Sequence, residues 1–542
     1  MNRDEFTNNG RYRHFKRSNL YNVANNCAPT LLESYMDENH NDFSNPFTVN
    51  PCLLASLSIN SNQQDRPPRP PFFTAKIRKM SGKSGKSQEN ASKFTFLPQA
   101  ALDENGEIRS DWTVKTVIDE GLLMIFVMDK TGCHFLQQEL PSLEAPHVDE
   151  LDRARIYAEI LASADHFHAV ATNMFGNFFL QKLIEHARAA EQDCIRKYLT
   201  ADISEYCLDK SACRVVQTAL ERMKPKHADL LVEAIPRDEN LRAICTDQNA
   251  NHVIQKVVRK IPPKKWEFIV DFITEEKDVI AELDAVPNNL MDICTDKYGC
   301  RVVQTIIEVL GGAETGEFDK LRPLHRIMQS IICRCKALTS NEFANYIIQH
   351  IIETPGILSE YRNAIIEKCL LTNLLSMSQE KYASHVVERA FTFAPLPYLA
   401  EMMDEIFDGY LPHPETGKDA LDILMFHQFG NYVIQRILHI CCSSVLDNRL
   451  FCKETLIDGV ECDLKFNEWL RKLSARARKE KLRLSRFSSG KKILEILETM
   501  NTPYELEPRR HRHLGPAHAM FVPSAQEFAN IDEDDDFFAK FD

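Results

Sequence analysis

The chain has 542 residues, 44% of them apolar, and a formal net charge of −13 with a pI near 5.8. That apolar content is ordinary for globular protein and supports a large core, while the lack of any run of eighteen apolar residues argues against a membrane span. Acidity over the whole chain argues against nucleic-acid binding through bulk charge; yet net charge is a sum, and the acidic run at 532–536 lies far from the rest, so a local basic face is compatible with it.

Residues 1–94 are rich in Asn, Ser, Pro and Arg, as in DRPPRPPFF and KMSGKSGKSQ, and begin with MNRDEFTNNGRYRHF. This composition buries little and predicts a disordered polar, basic region. The start has no apolar core of a secretory signal. GKSGKS invites a phosphate-loop reading, but a Walker motif needs Gly five residues ahead of its Gly-Lys pair. Met80 and Ile77 stand there instead, so the stretch reads as a flexible linker. The 16 cysteines form no paired CxxC framework and read as reduced thiols of a cytoplasmic protein.

From 95 to 500 one phrase recurs eight times. It reads CHFLQ from Cys133, NFFLQ from Asn177, CRVVQ from Cys213, NHVIQ from Asn251, CRVVQ from Cys300, NYIIQ from Asn345, SHVVE from Ser384 and NYVIQ from Asn431. The steps between anchors are 44, 36, 38, 49, 45, 39 and 47 residues, a period that belongs to a stacked repeat array. The apolar spacing is helical: Val302, Val303, Ile306 and Ile307 share one helix face, which excludes a propeller of strands. Turn-like segments (DKTG, NMFG, DQNA, DKYG, HQFG) precede the phrases and predict helix starts. Such a unit cannot bury its apolar face alone, so neighbours must stack. The surplus residues of the longer steps belong in loops or lengthened helices at the edge of the array. WTVKTVIDEGLLMIFVMDK before the first phrase and the degenerate FSSGKKIL after the last predict caps, and residues 501–542 an acidic disordered tail.

In each phrase the first and fifth positions vary within a small polar alphabet, and the second is always aromatic, imidazole or guanidinium. On a helix, i and i+4 lie on one face, so these two meet a planar object edge-on while i+1 covers its face. The edge pairs are Cys133/Gln137, Asn177/Gln181, Cys213/Gln217, Asn251/Gln255, Cys300/Gln304, Asn345/Gln349, Ser384/Glu388 and Asn431/Gln435. The facing residues are His134, Phe178, Arg214, His252, Arg301, Tyr346, His385 and Tyr432. All of these facing side chains stack on nucleobases, which points to single-stranded nucleic acid. Ionised Glu388 only accepts hydrogen bonds and suits guanine's two adjacent donors. Asn with Gln suits uracil, and small Cys with Gln leaves room for adenine.

These triplets resemble those of the PUF (Pumilio-type) RNA-binding proteins, over roughly residues 95–500. The resemblance implies an all-α, right-handed α-solenoid crescent of eight PUF repeats with terminal capping repeats, and one base read per repeat. It implies no catalysis and no cofactor. RNA lies antiparallel on the concave face, so the eighth triplet read back to the first spells UGUAUAUA in an mRNA 3′-untranslated region. Repression or translational control follows, with deadenylase or translation-control factors recruited by the outer face and the 409–418 loop, the protein being a monomer on RNA. The long fourth-to-fifth step and seventh-to-eighth loop resemble a nematode germline subgroup, in which a flatter arc leaves a central base unread. The register is therefore expected to slip between Asn251 and Cys300. Departures from the usual pattern are Cys133 and His134 in the first repeat, Phe178, Ala212 and His385.

Two other classes weigh against this. A protein scaffold of HEAT or armadillo type has no need of one triplet in register. Zinc is disfavoured because His134, His252 and His385 sit on separate repeats without paired ligands. In the loop FDGYLPHPETGKDAL, Tyr410, Leu411 and Pro412 place apolar groups at an expected exposed site. They are read either as local packing or as a knob for a protein partner.

Overall fold

A computed structural model of the protein describes residues 97–139, 150–275, 289–314, 316–447, 456–457 and 460–501. The N-terminal region 1–94 and the tail 502–542 read from composition lie outside the described residues, as do 276–288 within the long fourth-to-fifth step.

Every triplet opens a helix: Lys130–Glu139, Gly176–Glu185, Ala212–Arg222, Asn251–Lys260, Gly299–Gly311, Asn345–Glu353, Ala383–Phe393 and Gly430–Asp447. The start is set by a side chain four residues ahead of the triplet. Asp129, Asn173, Asp209, Asp247, Asp296 and Asn341 each accept, through Oδ1, two backbone N–H groups of the helix's first turn. His427 does the same through Nδ1. This satisfies donors that a helix start leaves unpaired and fixes the triplet on the first turn in seven of the repeats.

The residue just before the triplet is glycine where the backbone of the preceding helix comes closest. A Cβ on Gly132 would lie 2.6 Å from the Phe126 carbonyl oxygen, and one on Gly176 2.8 Å from that of Val170. Gly299 would collide with the Ile293 carbonyl and Gly430 with the Leu424 side chain. Each clash is with the residue six positions earlier. Gly490, in FSSGKKIL, meets the Leu484 carbonyl in the same register, so this segment is a ninth, degenerate repeat unit.

Triplet helices pack one on the next through all eight repeats and onto the final helix Ser488–Asn501. A second row is outer: Ala189–Ala201, Pro225–Glu233, Pro263–Thr274, Phe318–Cys333 and Leu358–Ile365 pack in succession. One apolar core runs between the rows, from Leu97 to Leu497. The apolar pair of each phrase is its inner wall, with Val302, Val303, Ile306 and Ile307 all fully buried. Part of the extra length of the fifth repeat lies in helices of 13 and 16 residues, as expected of surplus residues in an array.

The N-terminal cap is two short helices, Val114–Asp119 and Leu123–Met128, with Trp112 stacked on Phe126. The C-terminal cap is led by Cys462–Lys479, which packs on the eighth triplet helix. Among the described residues, strand pairing is limited to Leu456–Ile457 with Val460–Glu461 and a single bridge between Leu102 and Ile108.

Candidate nucleic-acid interface

The three triplet positions take three distinct environments. The first residue is buried in all eight repeats, from Cys213 at 1% exposure to Asn177 and Asn431 at 3%. The fifth is half-buried throughout. Among the second residues, His134, Phe178, Arg214, His385 and Tyr432 are exposed, and His252, Arg301 and Tyr346 half-buried. Phe178 and Tyr432 are among the few large apolar side chains left open to solvent, at 55% and 47%. Burial raises the Tyr346 phenol pKa, and the nearby Arg301 guanidinium opposes the rise. Facing residues of the fifth and sixth repeats are thus neighbours, as two stacking side chains around one base must be.

The edge pairs of each residue type differ in how the fifth residue is held. In the four Asn/Gln repeats, the fifth residue is clasped by the first. Gln181, Gln255, Gln349 and Gln435 donate from Nε2 to the Oδ1 of Asn177, Asn251, Asn345 and Asn431, at 2.8–3.1 Å. The Asn amide groups in turn donate to the turn that precedes them. Asn251 reaches Asp247 O and Gln248 O, Asn345 reaches Asn341 O and Glu342 O, and Asn431 reaches His427 O and Gln428 O. In these three repeats both Asn N–H bonds are spent on the turn. Asn orients Gln, and the Gln amide is the group left at the edge.

In the Cys repeats the clasp is missing. Cys213 and Cys300 donate their thiols to Lys210 O and Lys297 O at 3.3 and 3.2 Å. Burial pushes both thiols up to about 11, so they stay protonated and inert at neutral pH. The Gln217 amide nitrogen is buried and meets no acceptor. Among the described residues this donor has no partner, an uncommon state for a buried amide that costs about 1–3 kcal/mol. The first repeat is different again: Cys133 donates to Phe175 O, in the next repeat, and Gln137 donates to the Cys133 sulfur and carbonyl.

The seventh repeat offers acceptors. Ser384 gives its hydroxyl hydrogen to Lys381 O at 3.1 Å, leaving oxygen lone pairs beside the Glu388 carboxylate. His385 Nδ1 stands 3.7 Å from Glu388 Oε1. An edge made only of acceptors suits a base with two adjacent donors.

The sixth position, next to the reading residue, was missed by the sequence reading. In five of the repeats it links to the repeat before. Lys182 donates to Gln137 O, Lys256 to the Glu221 carboxylate, and Arg389 pairs with Glu353 at 3.0 Å. In the third and fifth repeats it is Thr218 and Thr305, whose hydroxyls donate to the Gln181 and Gln255 side-chain oxygens at 3.0 and 3.2 Å. The only sequence signal was that CRVVQ is followed by Thr both times.

The loop between the seventh and eighth repeats corrects one expectation. Tyr410 is not exposed: at 8% exposure it packs into the core. Its hydroxyl donates to the buried Glu405 carboxylate and accepts from Leu375 N. Glu405 also accepts from the Thr372 and Leu374 amides. Of the three predicted residues, Leu411 and Pro412 are open to solvent. The flanks are pinned to the C-terminal cap: Lys472 bonds Asp408 at 2.7 Å, and Arg476 bonds Asp419 and Asp422 at 2.6 Å each. Among the described residues no three His, Cys, Asp or Glu side chains converge as a metal site.

Comparison with known proteins fits this geometry. A family model described as the Pumilio-family RNA binding repeat matches residues 126–140, 166–197, 202–235, 240–274, 289–316, 334–356, 373–407 and 423–446. The chain is 48% identical to Fem-3 mRNA-binding factor 2 of Caenorhabditis elegans over 444 residues, covering 78% of this chain and 67% of that protein. It is 43% identical to Pumilio domain-containing protein 5 of the same organism, over 77% and 72% of the two chains. A crystal structure of PUF-6 in complex with 5BE13 RNA is 38% identical and superposes with a TM-score of 0.64, covering 72% of this chain and all of that one.

Proposed function

We propose that this chain, which belongs to the Pumilio family of RNA-binding repeat proteins and resembles its nematode members, reads single-stranded RNA one base per repeat along its row of triplet helices. The observation that carries the reading is positional. Eight triplets open eight stacked helices, with the anchor buried, the edge residue half-buried and the stacker exposed in five repeats and half-buried in three. Stacking on an aromatic or guanidinium face contributes about 1–3 kcal/mol per base, so eight such positions give firm binding despite a net charge of −13. The solved relative with RNA bound supports the ligand class.

Read from the eighth repeat back, the edges select UGU first. Asn431/Gln435 and Asn345/Gln349 take uracil, and Ser384/Glu388 takes guanine. The remaining repeats continue as AUAUA, with an unread base accommodated near the fourth-to-fifth step. The target class is mRNA, through UGU-containing 3′-untranslated elements. The outcome is cytoplasmic repression or translational control by recruited protein factors, without catalysis, in germline development. In vitro selection tests this: enrichment of a UGU element by the full chain is expected, and its length sets the register. A selected pool without UGU overturns the base assignment.

For the partner loop, the buried Tyr410 shifts the docking role to Leu411 and Pro412. Tyr410→Ala is expected to cost about 3 kcal/mol of stability, as a buried aromatic and its hydrogen bonds are lost, read from a denaturant melt. Leu411→Asp is expected to leave both the melt and RNA binding unchanged while weakening co-regulator binding. Unchanged co-regulator binding sinks the docking role.

A further inference from the structure

We infer that Thr218 and Thr305 are positioning residues for base selection, each locking the reading glutamine of the preceding repeat. This rests on the RNA-reading proposal above and deepens it.

Threonines at the ends of helices in this protein ordinarily turn their hydroxyls back onto the helix. Thr172, Thr246, Thr274, Thr295, Thr354 and Thr392 each donate to the carbonyl four residues back, the usual local bond of the residue. Thr218 and Thr305 forgo it. They reach across the repeat boundary and donate to the side-chain oxygens of Gln181 and Gln255. Side-chain length explains why only these do so. Lys256 and Arg389, at the same place in other repeats, extend past the glutamine to Glu221 and Glu353. Threonine is too short for that and stops at the amide.

Gln181 and Gln255 are therefore held at both ends. Nε2 is bound by the Asn of their own repeat, and Oε1 by the Thr of the next. One N–H and one oxygen lone pair remain for the base edge. Uracil offers O4 as acceptor and N3–H as donor, matching that pair in one orientation. Cytosine reverses both groups, and a glutamine turned over would accept it. The double clasp opposes that turn. Gln349 and Gln435 have the Asn clasp but, among the described residues, no side chain donating to Oε1, so the protein contains both the single and the double lock. The Thr305 lock is the firmer. Thr305 is 3% exposed and its oxygen accepts from Arg259 Nη2 at 3.4 Å, which leaves its hydrogen for Gln255.

The test uses the full chain, Thr218→Val, Thr305→Val and the corresponding Ser variants, assayed by competition binding. The RNA is the one selected by wild type, with single U-to-C changes. Gln181→Glu and Gln255→Glu mark the base that each repeat meets. The valine variants are expected to lose U-over-C discrimination about threefold at those bases only, the scale of one neutral hydrogen bond. Serine is expected to restore it. Discrimination at the UGU bases is expected to hold. If wild type discriminates at these bases and the folded valine variants do so equally, the lock is overturned while RNA reading stands. If wild type selects no sequence, the parent reading fails and the lock with it. Thr218, half-buried, provides a folded variant should Thr305→Val melt.

Discussion

Repeats 4 and 5 adjoin, share the reading residue glutamine and each bury a branched apolar pair, Val253/Ile254 and Val302/Val303, yet they hold that glutamine in opposite ways. In repeat 4, Gln255 is fixed by Asn251 on one side and by Thr305 on the other. In repeat 5, Cys300 turns its thiol to Lys297 O and gives Gln304 no partner. A fixed amide presents one donor–acceptor order, which suits a pyrimidine edge. A free one, above a smaller anchor, adapts to a larger purine. In repeat 4 three residues hold the edge, the last of them borrowed from its neighbour.

The largest expected effect breaks the comparison at the helix start. Repeat 4 has Ala250 ahead of its triplet and repeat 5 has Gly299, where a Cβ would strike the Ile293 carbonyl. Gly299→Ala is expected to destabilise by about 3 kcal/mol, because backbone cannot yield as a side chain can. A denaturant melt reads it directly, and an unchanged midpoint would mean the two repeats cross alike. Next, Ser384→Asn with Glu388→Gln makes repeat 7 resemble repeat 4. Preference at the second base is expected to move from G to U by about 2 kcal/mol, measured by competition between the two RNAs. A retained G preference means the carboxylate is not the selector.

Cys300→Asn converts repeat 5 toward repeat 4 more gently, by adding the clasp alone. A shift from A toward U of about 1 kcal/mol is expected at one base, again by competition. No shift would leave the anchor with a steric role only. The smallest effect concerns the thiols. Burial pushes the Cys213 and Cys300 thiols up to about 11, above the ordinary thiol range. A raised thiol pKa favours the fold below about pH 9, and that contribution is lost as pH climbs through 11. Alkylation at pH 8 is expected to label the exposed Cys333 and spare these two. Labelling of Cys300 at that pH would contradict its place as a buried anchor.

Much of this was legible in the chain. The triplets declared themselves because helical period and repeat period coincide, so the same residue types return to the same face. The Asp and Asn that start each helix were visible within the DKTG- and DQNA-like turns, since a short carboxylate or amide two to three residues ahead of free N–H groups has few other roles. FSSGKKIL was legible as a degenerate unit, and Gly490 gives the reason: it meets the preceding helix as the earlier glycines do. The exposure of the partner loop was read wrongly for Tyr410. A Gly-Tyr-Leu-Pro stretch looks like a surface turn, and nothing local reveals that Glu405 is buried and needs a donor.

By itself, then, the sequence determined the number of repeats, their order and the chemical alphabet of each edge, because these follow from local periodicity and side-chain chemistry. Tertiary structure alone decided which amide is free to meet a base. Gln255 and Thr305 are 50 positions apart, and a hydrogen bond across that distance exists only once one helix has been stacked on the next.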